Sequence, residues 1–260
     1  MVQQSSKHMG RAIGRIEILP DPLALAHHVA GWMTQAALGA QGPFRISLSG
    51  GSTPKTLYGL LASDEFIRRF PWPRVSWYWG DERFVPYDHP DSNYRMTREA
   101  MLAKVPVPSE NIHPIPTNGT PENAARRYER TLRESYGAAT LDPHRPLFDV
   151  TLLGLGPDGH TASLLPGEPA LNERKRWVAA VSHGRPEVRI TMTYPVIESS
   201  RRVAFLVAGE EKAEIFSAIR TRNSRLPAAR IRPVGELFWF VDQAAAGAEK
   251  ERRRTMARTR

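Results

Sequence analysis

The sequence predicts an α/β fold in which a mostly parallel central sheet is covered by helices on both faces. Three observations point there. Short apolar runs of strand length alternate along the chain with segments whose apolar residues recur at helical spacing. The strand-like runs open directly onto loops rich in Gly, Asp, Arg, His or Lys. Across 260 residues there is neither an internal repeat nor a Pro/Gly/Ser linker long enough to divide the chain, so residues 16–248 read as one unit with one large core.

The elements follow in order. Asp21-Pro22 before Leu25, Val29, Trp32, Met33 and Ala36 reads as a helix with an acidic N-cap, a first-position proline and an apolar stripe laid on the sheet. Phe44, Ile46 and Leu48 then alternate with Arg45, Ser47 and Ser49 until Gly50-Gly51 halts the strand. Ser52-Thr53-Pro54 supplies a cap and an early proline for a helix carrying Leu57, Leu60 and Leu61. Residues 75–79 form a strand that opens onto Gly80-Asp81-Glu82-Arg83, and Thr120-Pro121 starts a helix with Ala124, Tyr128, Leu132 and Tyr136 on one face, ended by Gly137. The near-continuous apolar run at 148–155 opens onto Gly156-Pro157-Asp158-Gly159-His160, from which a short helix is expected. Four more strands are expected at 177–181, 188–194, 202–207 and 238–241, with a helix from near Gly209. In such sheets ligands bind just beyond the carboxyl ends of the strands, so these loops are where chemistry is sought.

Composition removes whole classes of function. With no cysteine, the chain has no disulfide, no thiolate nucleophile and no Cys-ligated metal; H-E-x-x-H spacing is absent, and adjacent His27 and His28 cannot share one helix face. An apolar share of 41% is ordinary, and no stretch approaches the ~20 apolar residues of a membrane span. The N-terminal MVQQSSKHMGR lacks a signal-peptide apolar core, so residues 1–15 read as a flexible leader, native or artificial, and the protein as cytoplasmic. The formal charge of +9 resembles a nucleic-acid signal until it is located: residues 249–260 hold six Lys/Arg against two Glu, a net +4. That basic tail reads as solvated and disordered, and no nucleic-acid partner is expected; the remaining positive excess suits an anionic substrate.

Four loops carry the chemistry. Ser49-Gly50-Gly51-Ser52-Thr53-Pro54 joins a strand to a helix start, where exposed N–H groups and the helix dipole favour a phosphate or carboxylate; a plain tight turn with a hydroxyl cap is the alternative. Gly154-Leu-Gly156-Pro-Asp158-Gly159 matches G-x-G-x-x-G, yet an Asp stands where pyrophosphate would sit, Pro166 comes soon after, and residues 174–186 hold no acid for a ribose. What remains is a loop presenting Asp158 beside His160, a carboxylate able to orient a general base. Asp81, Glu82 and Arg83 read as either a surface ion pair or a ligand-facing set. Arg189 shares a strand face with Thr191 and Thr193, wet if the strand is an edge; Lys212 falls in the first turn of a helix, where a cation opposes the dipole unless an anion sits nearby. Ser47-Leu-Ser49-Gly50-Gly51 approximates a nucleophile elbow without its first Gly, which keeps a serine hydrolase as a separate reading.

Taken together, SLSGGSTPKTLY, WGDERFVPYDHPDSNYRM, LLGLGPDGHTASLLPG and VAGEEKAEIF resemble the family of 6-phosphogluconolactonases and glucosamine-6-phosphate deaminases, collinearly from about Ile16 to Ala246. The resemblance implies a three-layer Rossmann-like fold and hydrolysis of 6-phospho-D-glucono-1,5-lactone, with no metal or organic cofactor and a phosphorylated sugar lactone as the small-molecule partner. By motif, His160 looks like the base with Asp158 beside it. Ser49, Gly50, Gly51, Ser52, Thr53, Arg189 and Lys212 look like the phosphate cradle, and Asp81 and Arg83 like contacts to the sugar or its oxyanion. Deaminases resemble this sequence except for a Glu five residues after the loop His, where this chain has Leu165. Amino-sugar phosphate deamination and non-catalytic sugar-phosphate or nucleotide binding are the competing readings. A monomer is expected, with a dimer as the alternative.

Overall fold

The structure is a computed structural model that describes residues 14–182, 187–221 and 224–247. The expected leader up to residue 13 and the basic tail at 249–260 lie outside the described residues, whereas Arg15, expected to belong to the leader, opens the first strand. The chain runs β1 (Arg15–Leu19), α1 (Pro22–Leu38), β2 (Phe44–Leu48), α2 (Ser52–Leu61), β3 (Val75–Trp79), β4 (Asp81–Arg83), α3 (Asn93–Ala100), β5 (Ile112–His113), α4 (Pro121–Tyr136), β6 (Val150–Gly154), β7 (Val178–Val181), β8 (Arg189–Met192), α5 (Tyr194–Glu198), β9 (Arg202–Val207), α6 (Ala213–Ile219) and β10 (Glu236–Asp242).

Local chemistry explains most boundaries. The Asp21 carboxylate accepts from the Ala24 N–H at 2.8 Å, capping α1 as its sequence requires. Thr120 caps α4 through the Asn123 N–H, and Gly137 ends that helix in the left-handed region at φ 74°. At α2 the expectation is corrected: the helix already includes Ser52, its cap is Gly51 at φ 110°, and no side chain caps it. The helix expected after His160 is absent as well. Gly159 at φ 79° and Ala162 at φ 48° take left-handed conformations that an α-helix cannot absorb, and the segment instead turns back through a Thr161–Leu164 bridge.

Among the described residues, seven strands form a parallel sheet in the order β1-β10-β9-β6-β2-β3-β5, flanked by helices, and β4-β8-β7 form a separate antiparallel sheet. The inner strands β6 and β9 are buried along nearly their whole length, as near-continuous apolar runs should be. Phe205 of β9 stacks on Trp239 of β10 at 3.9 Å between centroids. The second sheet is not legible in the sequence. The charged run at 81–83 suggests a loop, but the Met192 N–H donates to the Gly80 carbonyl at 2.8 Å and draws the chain leaving β3 into a strand against β8. That pairing makes β8 central rather than an edge, and Thr191 and Thr193 are fully buried, not wet. No helix among the described residues is long and apolar enough to cross a membrane.

A Cβ on Gly137 would meet nothing within 4 Å, so its replacement isolates the conformational cost of the left-handed cap. Gly137→Ala should lower stability by about 1 kcal/mol in urea unfolding; an unchanged midpoint would contradict the assigned cap.

Candidate active site at the strand ends

From the middle of the sheet the chain order runs outward in both directions, β2 to β3 to β5 on one side and β6 to β9 to β10 on the other. Between β2 and β6 the connections therefore diverge and leave a crevice at the carboxyl ends. There Gly154 stands beside Ser49, just past β2, where an added Cβ would meet Ser49 Oγ at an ordinary contact distance of 3.6 Å. A cleft of about 260 Å³ opens at this point, lined by Ser49, Gly50, Gly51, Asp81, Arg83, Asn93, Gly154, Gly156, Ala162, His160, Arg189 and Lys212 among others. Of the residues singled out in the sequence, Ser52 and Thr53 stand in the first turn of α2 and Asp158 behind the imidazole, without lining the cleft.

Each wall is fastened from behind. The Ser49 N–H donates to the Tyr58 hydroxyl at 3.0 Å while that hydroxyl donates to the Ser49 carbonyl at 2.8 Å. Tyr128 does the same for Trp79, at 2.9 and 3.0 Å. Burial pushes both phenols well above their ordinary range, so both keep the proton that the second bond needs. Beyond β9, the Gly209 N–H is held by the Asp242 carboxylate at 3.1 Å, which sets the turn carrying Lys212. Lys212 closes a 3-10 turn that precedes α6, not the first turn of the α-helix itself.

The short β4 sorts the three charges at 81–83 by strand alternation. Asp81 and Arg83 face the cleft; Glu82 points away and is buried. Its carboxylate accepts from the backbone N–H groups of Arg83, Asn93 and Tyr94 and from Ser92 Oγ, tying down the start of α3. Burial raises the Glu82 pKa, and those hydrogen bonds offset part of the rise. Asp81 accepts a 2.6 Å hydrogen bond from the buried Ser163 Oγ, and Asn93 Nδ2 donates to the Asp81 carbonyl at 2.9 Å. Sequence reasoning misses Asn93, Ala162 and Ser163. The signal for Asn93 is Ser92 as N-cap of α3, but the acid completing that cap lies ten residues upstream.

At the far wall, His160 Nδ1 is hydrogen-bonded to Asp158 Oδ1, which also accepts from the His160 N–H at 3.1 Å. An ionised carboxylate can only accept, so Nδ1 carries the hydrogen and Nε2 is the basic nitrogen. Gly156 makes room for the ring: a Cβ there would stand 2.0 Å from Nδ1. Burial works to raise the Asp158 carboxyl, and its bonds to the His160 side chain and backbone outweigh that, holding it below its ordinary 3.8.

The chain matches the family described as glucosamine-6-phosphate isomerases/6-phosphogluconolactonase over residues 20–239. It belongs to that family. It is 44% identical over 243 residues to a 6-phosphogluconolactonase of Nostoc sp., covering 90% of this chain and 97% of that one. It is 39% identical to a 6-phosphogluconolactonase of Rattus norvegicus, covering 90% and 93%. The crystal structure of 6-phosphogluconolactonase from Thermotoga maritima superposes with a TM-score of 0.75 at 30% identity, covering 88% of this chain and 99% of that one. The family's α/β fold, a seven-stranded parallel sheet flanked by helices, is the one this chain adopts.

Because the folded-state pKa of Asp158 is depressed, the unfolded chain binds more protons as pH falls below 3.8. The stabilisation is therefore complete above that value and lost as pH drops through the lowered one. Asp158→Asn should be less stable than the unaltered chain near neutrality, with the gap closing in acid; a gap independent of pH in urea titrations would refute the assigned pairing.

Proposed function

We propose that this chain hydrolyses 6-phospho-D-glucono-1,5-lactone to 6-phosphogluconate, a step of the oxidative pentose phosphate route, with His160 as general base. The observation that carries the reading is that the Asp158-backed imidazole and the Ser49-Gly50-Gly51 turn wall the same cleft. The Nostoc and rat relatives point to the same substrate.

In this reading the phosphate rests on the backbone N–H groups at the glycine turn and the start of α2, helped by the hydroxyls of Ser49, Ser52 and Thr53 and the charges of Arg189 and Lys212. Gly50 lets Asn93 pack against the turn, since a Cβ at Gly50 would collide with the Asn93 amide. Anchoring the remote phosphate holds C1 beside the imidazole. Nε2 takes a proton from water as its oxygen bonds to C1, and the carbonyl electrons move onto the oxyanion. Arg83 supplies positive charge to that oxygen, and Asp81, fixed by Ser163, orients the sugar hydroxyls. When the carbonyl re-forms, the C1–O5 bond breaks and the imidazolium returns its proton to O5. The nascent acid then ionises in solvent.

Deamination of an amino sugar asks for more proton-transfer groups than this. Leu165 is a buried hydrocarbon where a deaminase resemblance would need a Glu, which favours the lactonase reading.

Fresh lactone should open faster with the protein than spontaneously, and His160→Ala should lower kcat by roughly 10²- to 10⁴-fold. Full activity in that variant would exclude the mechanism. Ammonia release from glucosamine 6-phosphate would instead favour the deaminase.

A further inference from the structure

We propose that Tyr58 and Tyr128 are positioning residues with separate assignments, Tyr58 setting the phosphate-binding turn and Tyr128 setting Asp81. The inference rests on the lactonase reading and adds to it two buried side chains that touch no substrate.

The two contacts repeat one geometry on neighbouring strands. Ser49 lies just past β2, two residues beyond the last rung shared with β6, Ser47 with Thr151. Trp79 ends β3, one residue beyond the last rung shared with β5, Tyr78 with His113. In each case a phenol reaching in from a helix accepts from the N–H and donates to the C=O of the same residue. At Trp79 it stands in for a rung of β5, which has already ended, and at Ser49 for a rung of β6, which runs on to Gly154 but no longer pairs with β2. Both rings are fully buried, from α2 and α4 respectively.

The two clamped residues lead into different parts of the cleft. Ser49 runs straight into Gly50 and Gly51, the turn that takes the phosphate in the proposed mechanism. Trp79 runs into Gly80 and Asp81. The next link after Trp79 is already fixed on its other side, since the Gly80 N–H donates to the Leu48 carbonyl at 2.9 Å and its carbonyl accepts from Met192. Those bonds limit how far movement at Trp79 spreads, and because Trp79 lies two residues from Asp81 while Ser49 adjoins Gly50, loosening Trp79 disturbs Asp81 more than the phosphate turn and loosening Ser49 does the reverse.

The test compares Tyr58→Phe with Tyr128→Phe, each losing one oxygen and no ring. Tyr58→Phe should raise both KM for the lactone and the inhibition constant of inorganic phosphate about tenfold, with kcat within about twofold. Tyr128→Phe should lower kcat about tenfold and leave the phosphate inhibition constant within about twofold. A role in folding alone would give the two variants one shared signature, and that result, or no kinetic change in either, would overturn the inference while leaving the lactonase reading intact. An unaltered protein that does not accelerate lactone opening would overturn both. Hydrogen exchange of the unaltered protein gives a second measurement should a variant fail to fold. The Ser49 and Trp79 amides should exchange only with global unfolding, and exchange at the rate of exposed loop amides would refute the clamps.

Discussion

A parallel sheet has to stop somewhere, and where it stops inside a protein the backbone N–H and C=O groups past the last rung lose their partners without gaining water. Each such group left buried and unpaired costs on the order of 1–3 kcal/mol. In this chain the strand ends that form the cleft face this problem together, and side chains from elsewhere solve it: Tyr58 at Ser49, Tyr128 at Trp79, Asp242 at Gly209, and Thr161 Oγ1 donating to the Gly154 carbonyl. The same contacts that remove the penalty hold the loops still. A site assembled from four separate loops gains its shape from this shared edge rather than from contacts among the loops themselves.

Gly80 gives the edge its second dimension. Its N–H continues the large sheet and its carbonyl begins the small one, so the chain passes from one sheet to the other in a single residue. Strand alternation then does the sorting: Asp81 and Arg83 on the cleft side, Glu82 into α3. Pairing with β8 brings Arg189, opposite Arg83 in register, to the same wall. A cation-rich wall results from that pairing, as does the burial of Thr191, which accepts from the Ser163 N–H while Ser163 donates to Asp81.

Conformational strain is concentrated in the same region. Ala162, which lines the cleft, is the one non-glycine residue with positive φ among the described residues, at a cost of order 1–3 kcal/mol. It is over-determined by its neighbours, Thr161 bound to Gly154 and Ser163 bound to both Thr191 and Asp81. The folded segment therefore stays put without a helix to support it.

Much of this protein is written locally. The caps of α1 and α4, the glycine that ends α4 and the strands at 44–48, 75–79 and 150–154 all depend on residues within a turn of one another, and the sequence alone determines them. Asp158 beside His160 is legible for the same reason, being two residues apart. Tertiary structure decided the rest. The small sheet pairs residues about a hundred apart, Glu82 caps a helix ten residues on, Ser163 reaches back to Asp81, and two tyrosines at ordinary core positions turn out to complete strand ends. Periodicity reports which face of an element is buried, but a hydrogen bond's partner depends on where distant chain is brought, and only the packed fold fixes that.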